Sequence, residues 1–223
     1  DSGMPDKVVF DQFYQSQVES ANDIAAGEAM MRAAGSALLD RIGPAILLTH
    51  SQSGPMGWTI ADARPKLVKA IVAVEPNGPP VYEAKFKGAP DWFEDDFVAR
   101  PWGITRNALQ FDPPAKDASE MKFVKQAEAD APNLMRCWLQ AEPARKLVNL
   151  AGIPILIVTG EASYHAPYDH GTSAFLKQAG VAHTYVRLAD AGIRGNGHMM
   201  MLEKNNLEIA AFFDQWLLKS VRG

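Results

Sequence analysis

"THSQSGPMGW", residues 49–58, decides how this chain is read. It follows the apolar run Ala45-Ile46-Leu47-Leu48 and leads into residues that suit a short helix over 55–65. Pro55 falls in the first turn of that helix, where a missing N–H does no harm. A plain turn does not need two serines and a glycine. A tight strand-to-helix turn does something more: it lifts one side chain to the carboxyl end of a strand and aims the free N–H groups of a helix at the same point. A serine hydroxyl is a weak nucleophile until a base takes its proton and donors meet the developing oxyanion. Ser53 is the candidate nucleophile, because Gly54 follows it and offers an unobstructed N–H as an oxyanion donor. Ser51 competes with it but sits closer to the strand, where its side chain is expected to pack. The plainer alternative is that both serines only close the turn or cap the helix.

Outward from this turn the pattern is regular. "AILLTH" (45–50), "LVKAIVAVEP" (67–76) and "IPILIVTG" (153–160) read as strands buried on both faces, and "AHTYVRLAD" (182–190) alternates like a strand nearer an edge. Helices are expected over 16–41, stopped by Gly43-Pro44, then over 170–180, and over 203–219 with Leu207, Ile209, Phe212, Phe213, Trp216 and Leu217 on one face. Strands alternating with helices imply a parallel sheet with helical crossovers. Residues 78–150 break the pattern. They are rich in Pro, Gly and aromatics, and two or three helices are expected within 117–149. A structureless connection of that length does not suit a compact domain. Residues 78–150 therefore read as a cap over the sheet edge, with 1–77 and 151–223 as the core.

A chain of 223 residues, 47% hydrophobic and 22% charged, suits one globular domain. The formal net charge of −4 and the absence of a Lys/Arg run argue against nucleic acid and anionic membranes as partners. No apolar run reaches the roughly 18 residues of a membrane span, so the chain reads as soluble. The single cysteine, Cys137 in "NLMRCWLQ", reads as a small core residue on a helix.

The base for Ser53 should come from a loop after the last strand. His198, in "GIRGNGHMMM", fits that place. The acid usually follows the strand before the last one, but the count from Gly160 reaches Ser163, which is no carboxylate. Glu75 is the alternative, at the end of the strand after the nucleophile strand and fixed by Pro76. A buried carboxylate there needs a partner, and an imidazole would supply it while its tautomer is held. Glu161 and Asp169 remain as substitute acids.

These segments resemble the α/β-hydrolase superfamily, and more narrowly a bacterial esterase subgroup with a Ser–Glu–His triad. "THSQSG" is similar to its nucleophile turn, "VAVEP" to its displaced acid segment, and "GNGHMMMLEKNNLEIA" to its histidine loop and final helix. The resemblance covers residues 42–76 and 153–219. It implies a mostly parallel, doubly wound sheet with a helical cap insertion, the triad Ser53–His198–Glu75, a small-molecule ester substrate and no cofactor. It also implies strands and an oxyanion loop ahead of the nucleophile strand. The chain then reads as the C-terminal two-thirds of the fold, completed by a separate N-terminal segment or chain. The insertion after Glu75 departs from the subgroup, so substrate does not carry over. The expected chemistry is cleavage of a carboxylic ester, lactone or thioester through an acyl-enzyme. Two rivals share the scaffold: a non-hydrolytic acyl transfer, lyase or cyclisation step, and a catalytically dead ligand-binding subunit.

Trp58, Trp92, Phe93 and Trp102 are the candidate pocket lining, with a small core of the cap as the alternative for those in the insertion. His165, Asp169 and His170 in "YHAPYDH" match no common metal spacing, and no metal is expected.

Overall fold

The computed structural model describes residues 8–19, 22–88 and 93–221. The chain runs α1 (Val8–Gln15), α2 (Ile24–Ile42), β1 (Ala45–His50), α3 (Ser53–Ala63) and β2 (Val68–Val74). The short strands β3 (Tyr82–Phe86), β4 (Phe93–Val98), β5 (Phe111–Asp112), β6 (Phe123–Lys125), β7 (Trp138–Gln140) and β8 (Lys146–Leu147) follow. Then come β9 (Ile155–Thr159), α4 (Asp169–Gln178), β10 (Thr184–Arg187) and α5 (Asn206–Ser220).

The central sheet has the order β1-β2-β9-β10, with every neighbouring pair parallel. Successive residues of a strand point to opposite faces, so a strand covered on both sides contributes to two cores. In β2, Ile71 and Ala73 join one cluster with Trp58, Phe175 and Leu176, while Val72 and Val74 join another with Leu188, Met200 and Ile209. β9 divides in the same way, Ile155 and Ile157 against Leu156 and Val158. β1 does not meet the expectation of burial on both faces. It stands at the edge of the sheet among the described residues, with Leu47 against the core but Ile46 41% and Leu48 67% exposed.

The first long helix starts later than its periodicity suggests. Ser16 and Gln17 close α1 through bonds to Phe13 and Tyr14 carbonyls, and Val18 is exposed. The Asp23 side chain then accepts the Ala26 N–H and caps α2, a placement worth about 1 kcal/mol. Gly43, at φ 85°, ends it. The buried Glu28 of α2 accepts the backbone N–H groups of Arg106 and Asn107 and ties the insertion to the core domain.

The helices expected within 117–149 are not there. Among the described residues the insertion holds antiparallel two-stranded ribbons, β3–β4, β5–β8 and β6–β7, and one 3₁₀ turn at Ala118–Glu120. The period explains it. Met121 and Phe123 pack inward while Lys122 and Val124 face out, an alternation of two that a helix cannot use. Cys137 precedes β7 rather than lying on a helix; it is buried, and burial pushes its thiol up to about 12. Much of the insertion belongs to the main core rather than to a core of its own: Trp102, Ile104, Leu109, Phe111 and Leu147 cluster with Ile155 and Phe175 of the sheet and α4.

Candidate active site

β1 ends at His50, and the chain turns at once. Ser51 has φ 54°, a left-handed conformation that few non-glycine residues adopt. Its N–H donates to Val74 O at 3.1 Å, so it still belongs to the end of the sheet. Its carbonyl accepts from Gly54 N and Asn77 N, both at 2.9 Å. This locked turn throws the Ser51 side chain out at the carboxyl edge of the strands, where its Oγ lies 2.9 Å from His198 Nε2. Ser53 is elsewhere. As the first residue of α3 it folds its hydroxyl back on β1, donating to His50 O and accepting from His50 N, both at 2.8 Å. Ser53 therefore clamps the turn, and the serine at the imidazole is Ser51.

Gly54 is corrected with it. Its N–H is engaged by the Ser51 carbonyl and cannot serve as the expected oxyanion donor. The glycine is required for another reason: a Cβ there would lie 2.5 Å from Pro76 Cβ, on the segment that carries Glu75.

Glu75 directly follows β2 at φ 44° and is fully buried. Its Oε1 accepts the Gly160 N–H at 2.7 Å, and its Oε2 accepts the Ser163 hydroxyl at 2.7 Å and His198 Nδ1 at 2.5 Å. The Nδ1 hydrogen is thereby committed to the carboxylate, which leaves Nε2 free to accept from Ser51. The substitute acids are engaged elsewhere. Glu161 pairs with Arg194 and accepts Gly195 N, both at 2.9 Å. Asp169 meets His165 Nδ1 at 2.8 Å and the Thr159 hydroxyl at 2.7 Å, and burial pushes its carboxyl above the usual range. The His198 loop is held by its own asparagine: Asn196 O accepts Ala162 N at 2.9 Å, and its amide contacts Glu203 and Asn205. Gly160 permits that approach, since a Cβ would fall 2.4 Å from Asn196 O.

No family model matches the chain. A probable secreted lipase, phiG, of a fungal species (strain ATCC 74256) is 48% identical over 211 residues, which cover 94% of this chain and 56% of that protein. The chain thus spans little more than half the length of that relative. A solved bacterial esterase superposes with a TM-score of 0.50 at 23% identity, over 85% of this chain and 42% of its own. Its likeness and the parallel sheet settle the architecture. The chain has the α/β-hydrolase fold.

In this α/β-hydrolase fold the ends of β1, β2 and β9 and the loop after β10 converge on one ring. The His198 imidazole is flanked by His50 at 4.5 Å between ring centroids, by His165 at 4.7 Å in a parallel stack, and by Tyr164 at 4.8 Å. His50 Nε2 donates to His198 O at 2.8 Å; burial holds its pKa below the ordinary imidazole value. These three rings were not picked out from the sequence as neighbours of the base. The signal for two of them is the aromatic "YHAPYDH" directly after β9. Candidate ligand atoms of Glu75, His165 and His198 lie within 4.8 Å of one another. Glu75 and His165 Nδ1 already have the protein partners given above.

Beside Tyr164 opens a recess of about 1260 Å³, lined by Phe93, Lys125, Met135, Ala162 and Pro167 among others. Of the four residues expected to line a substrate pocket, Phe93 borders this recess. Trp58 and Trp102 do not: both are buried in the main core, 1% and 9% exposed. Trp92 lies outside the described residues. No helix among the described residues is long and apolar enough to cross a membrane.

Proposed function

We propose that this chain carries the catalytic centre of a carboxylic ester hydrolase, with Ser51 as nucleophile, His198 as base and Glu75 as the acid that orients it. The observation that supports it most is the continuous hydrogen-bonded line from Ser51 Oγ through the His198 ring to Glu75 Oε2, at 2.9 and 2.5 Å. Ser51 attacks the carbonyl carbon and its proton passes to Nε2. Glu75 stabilises the imidazolium that forms. The same proton then goes to the leaving oxygen, and water repeats the sequence on the acyl-enzyme. The residue after a nucleophile on such a turn supplies an oxyanion N–H, which here is Gln52. Lactones and thioesters fall within the same chemistry. The lipase name of the 48% identical relative supports an ester substrate.

A chromogenic short-chain ester separates the two serines. Ser51→Ala is expected to abolish turnover, and Ser53→Ala to retain a substantial part of it. The reverse result would return the nucleophile to Ser53, and turnover that survives both would overturn the serine mechanism.

The same reading includes a separate segment laid along the free edge of β1, covering Ile46 and Leu48 and adding a second oxyanion donor. The exposure of those two side chains supports it, as does the relative's greater length. Native mass spectrometry of the protein from its source checks it: a single active species of this chain's mass would remove it.

A further inference from the structure

We propose that Tyr164 is a catalytic residue that donates a hydrogen bond to the leaving-group oxygen of the ester; this rests on the hydrolase reading above. Tyr164 directly follows Ser163, the hydroxyl donor to Glu75, and its Oη lies 3.4 Å from His198 Nε2. The Ser51 hydroxyl is a further polar neighbour of the phenol. The residue is 54% exposed and forms part of the wall of the 1260 Å³ recess. Tyr164 therefore brings its hydroxyl beside the base nitrogen and also borders the recess. Nε2 has one lone pair and Ser51 is nearer to it, so the Tyr164 O–H remains available to an incoming acceptor. At 3.4 Å the present contact is long, as catalytic contacts often are before substrate arrives.

The proton steps place the acceptor. When the tetrahedral intermediate collapses, the bond from carbon to the leaving oxygen breaks and its electron pair stays on that oxygen. The oxygen takes the proton held on His198 Nε2, so it must lie within hydrogen-bond reach of Nε2. That position is also within reach of Tyr164 Oη. The phenol keeps its own proton and donates to a lone pair of the departing oxygen while negative charge builds there. Burial, with the nearby Glu75 charge, raises the Tyr164 pKa, which keeps the phenol protonated through the neutral range. In deacylation water occupies the same place: it gives a proton to Nε2 and accepts the Tyr164 hydrogen bond. The alcohol part of the ester then occupies the recess beside Tyr164.

The test compares Tyr164→Phe with wild type on two esters of one acid. One has an alkyl alcohol, which departs only with a proton; the other has a nitrophenol, which departs without one. The expected result is a fall in kcat/KM of about tenfold or more for the alkyl ester and less than about twofold for the nitrophenyl ester. Because kcat/KM reports acylation alone, slow deacylation does not blur the comparison. Equal losses on both esters, or no loss on either, would overturn the role. If wild type cleaves neither ester, the hydrolase reading itself falls; if Ser51→Ala cleaves both, the assignment of Ser51 falls; either result takes this inference with it.

Discussion

The Ser163 hydroxyl donates to Glu75 Oε2 at 2.7 Å, on the same oxygen that receives His198 Nδ1. Ser163 occupies the place after β9 where the acid usually lies, as the count from Gly160 shows. It acts as a donor that fixes the displaced Glu75, and it also accepts the His165 N–H at 3.1 Å. A hydrogen bond to a charged group contributes about 1.5–3 kcal/mol, so Ser163→Ala is expected to lower kcat roughly tenfold with little change in KM. Glu75→Gln, which disturbs the tautomer itself, should lower kcat by about three orders of magnitude or more. Steady-state kinetics on one ester measures both. A Ser163→Ala enzyme with wild-type kcat would show that Gly160 N and His198 hold Glu75 without it.

The residues that carried the sheet were readable because their signal is local. Val72, Val74, Leu156 and Val158 sit in apolar runs that only a strand covered on both faces accommodates. That Glu75 pairs with His198 was also readable, from loop position and from the cost of leaving a carboxylate unpaired at a strand end. The choice between Ser51 and Ser53 turned on a two-residue register that composition does not carry. What decides it is the left-handed φ at Ser51, forced where β1 meets the turn, and the use of the Ser53 hydroxyl on the His50 backbone. The insertion misled for a different reason. Its charged, Pro-broken stretches have helical composition, yet the inward order of Met121 and Phe123 has a period of two. The rings of His50, Tyr164 and His165 around the base come from separate loops, and no single-sequence pattern joins them.

Arg100 is the best-buried cation of the insertion, with 1% of its side chain exposed. It donates to Pro79 O and Tyr82 O, both at 2.6 Å, and to Glu83 Oε2 at 2.9 Å. Burial lowers its pKa, but the Glu83 charge and these acceptors oppose that effect. Removal of the guanidinium takes a donor from the buried Pro79 carbonyl and the half-buried Tyr82 carbonyl. Arg100→Met is therefore expected to destabilise the fold by about 3 kcal/mol, and Arg100→Lys by a comparable amount, since an ammonium cannot reproduce the fork. Urea unfolding midpoints check this. A loss below about 0.5 kcal/mol would mean that water replaces the guanidinium.

His170 gives the stability a pH dependence whose sign can be worked out. It lies in the first turn of α4, with Nε2 donating to Met135 O at 3.1 Å and Nδ1 buried without a partner. Burial lowers its pKa below the ordinary imidazole value, while Asp130 pulls the other way. The folded state thus binds a proton less readily than the unfolded chain does. The contribution is fully present above the unfolded value and is lost as pH falls through the folded one, by at most about 1.4 kcal/mol per pH unit. Asp62 and Asp169 act in the opposite sense, since burial raises their pKa values and their cost grows as pH rises. The difference between wild type and His170→Gln isolates the histidine, because glutamine keeps a donor for Met135 O and does not titrate. Unfolding midpoints at pH 7.5, 6.5 and 5.5 should fall more steeply for wild type than for the variant. Parallel curves would place the His170 ring in contact with solvent.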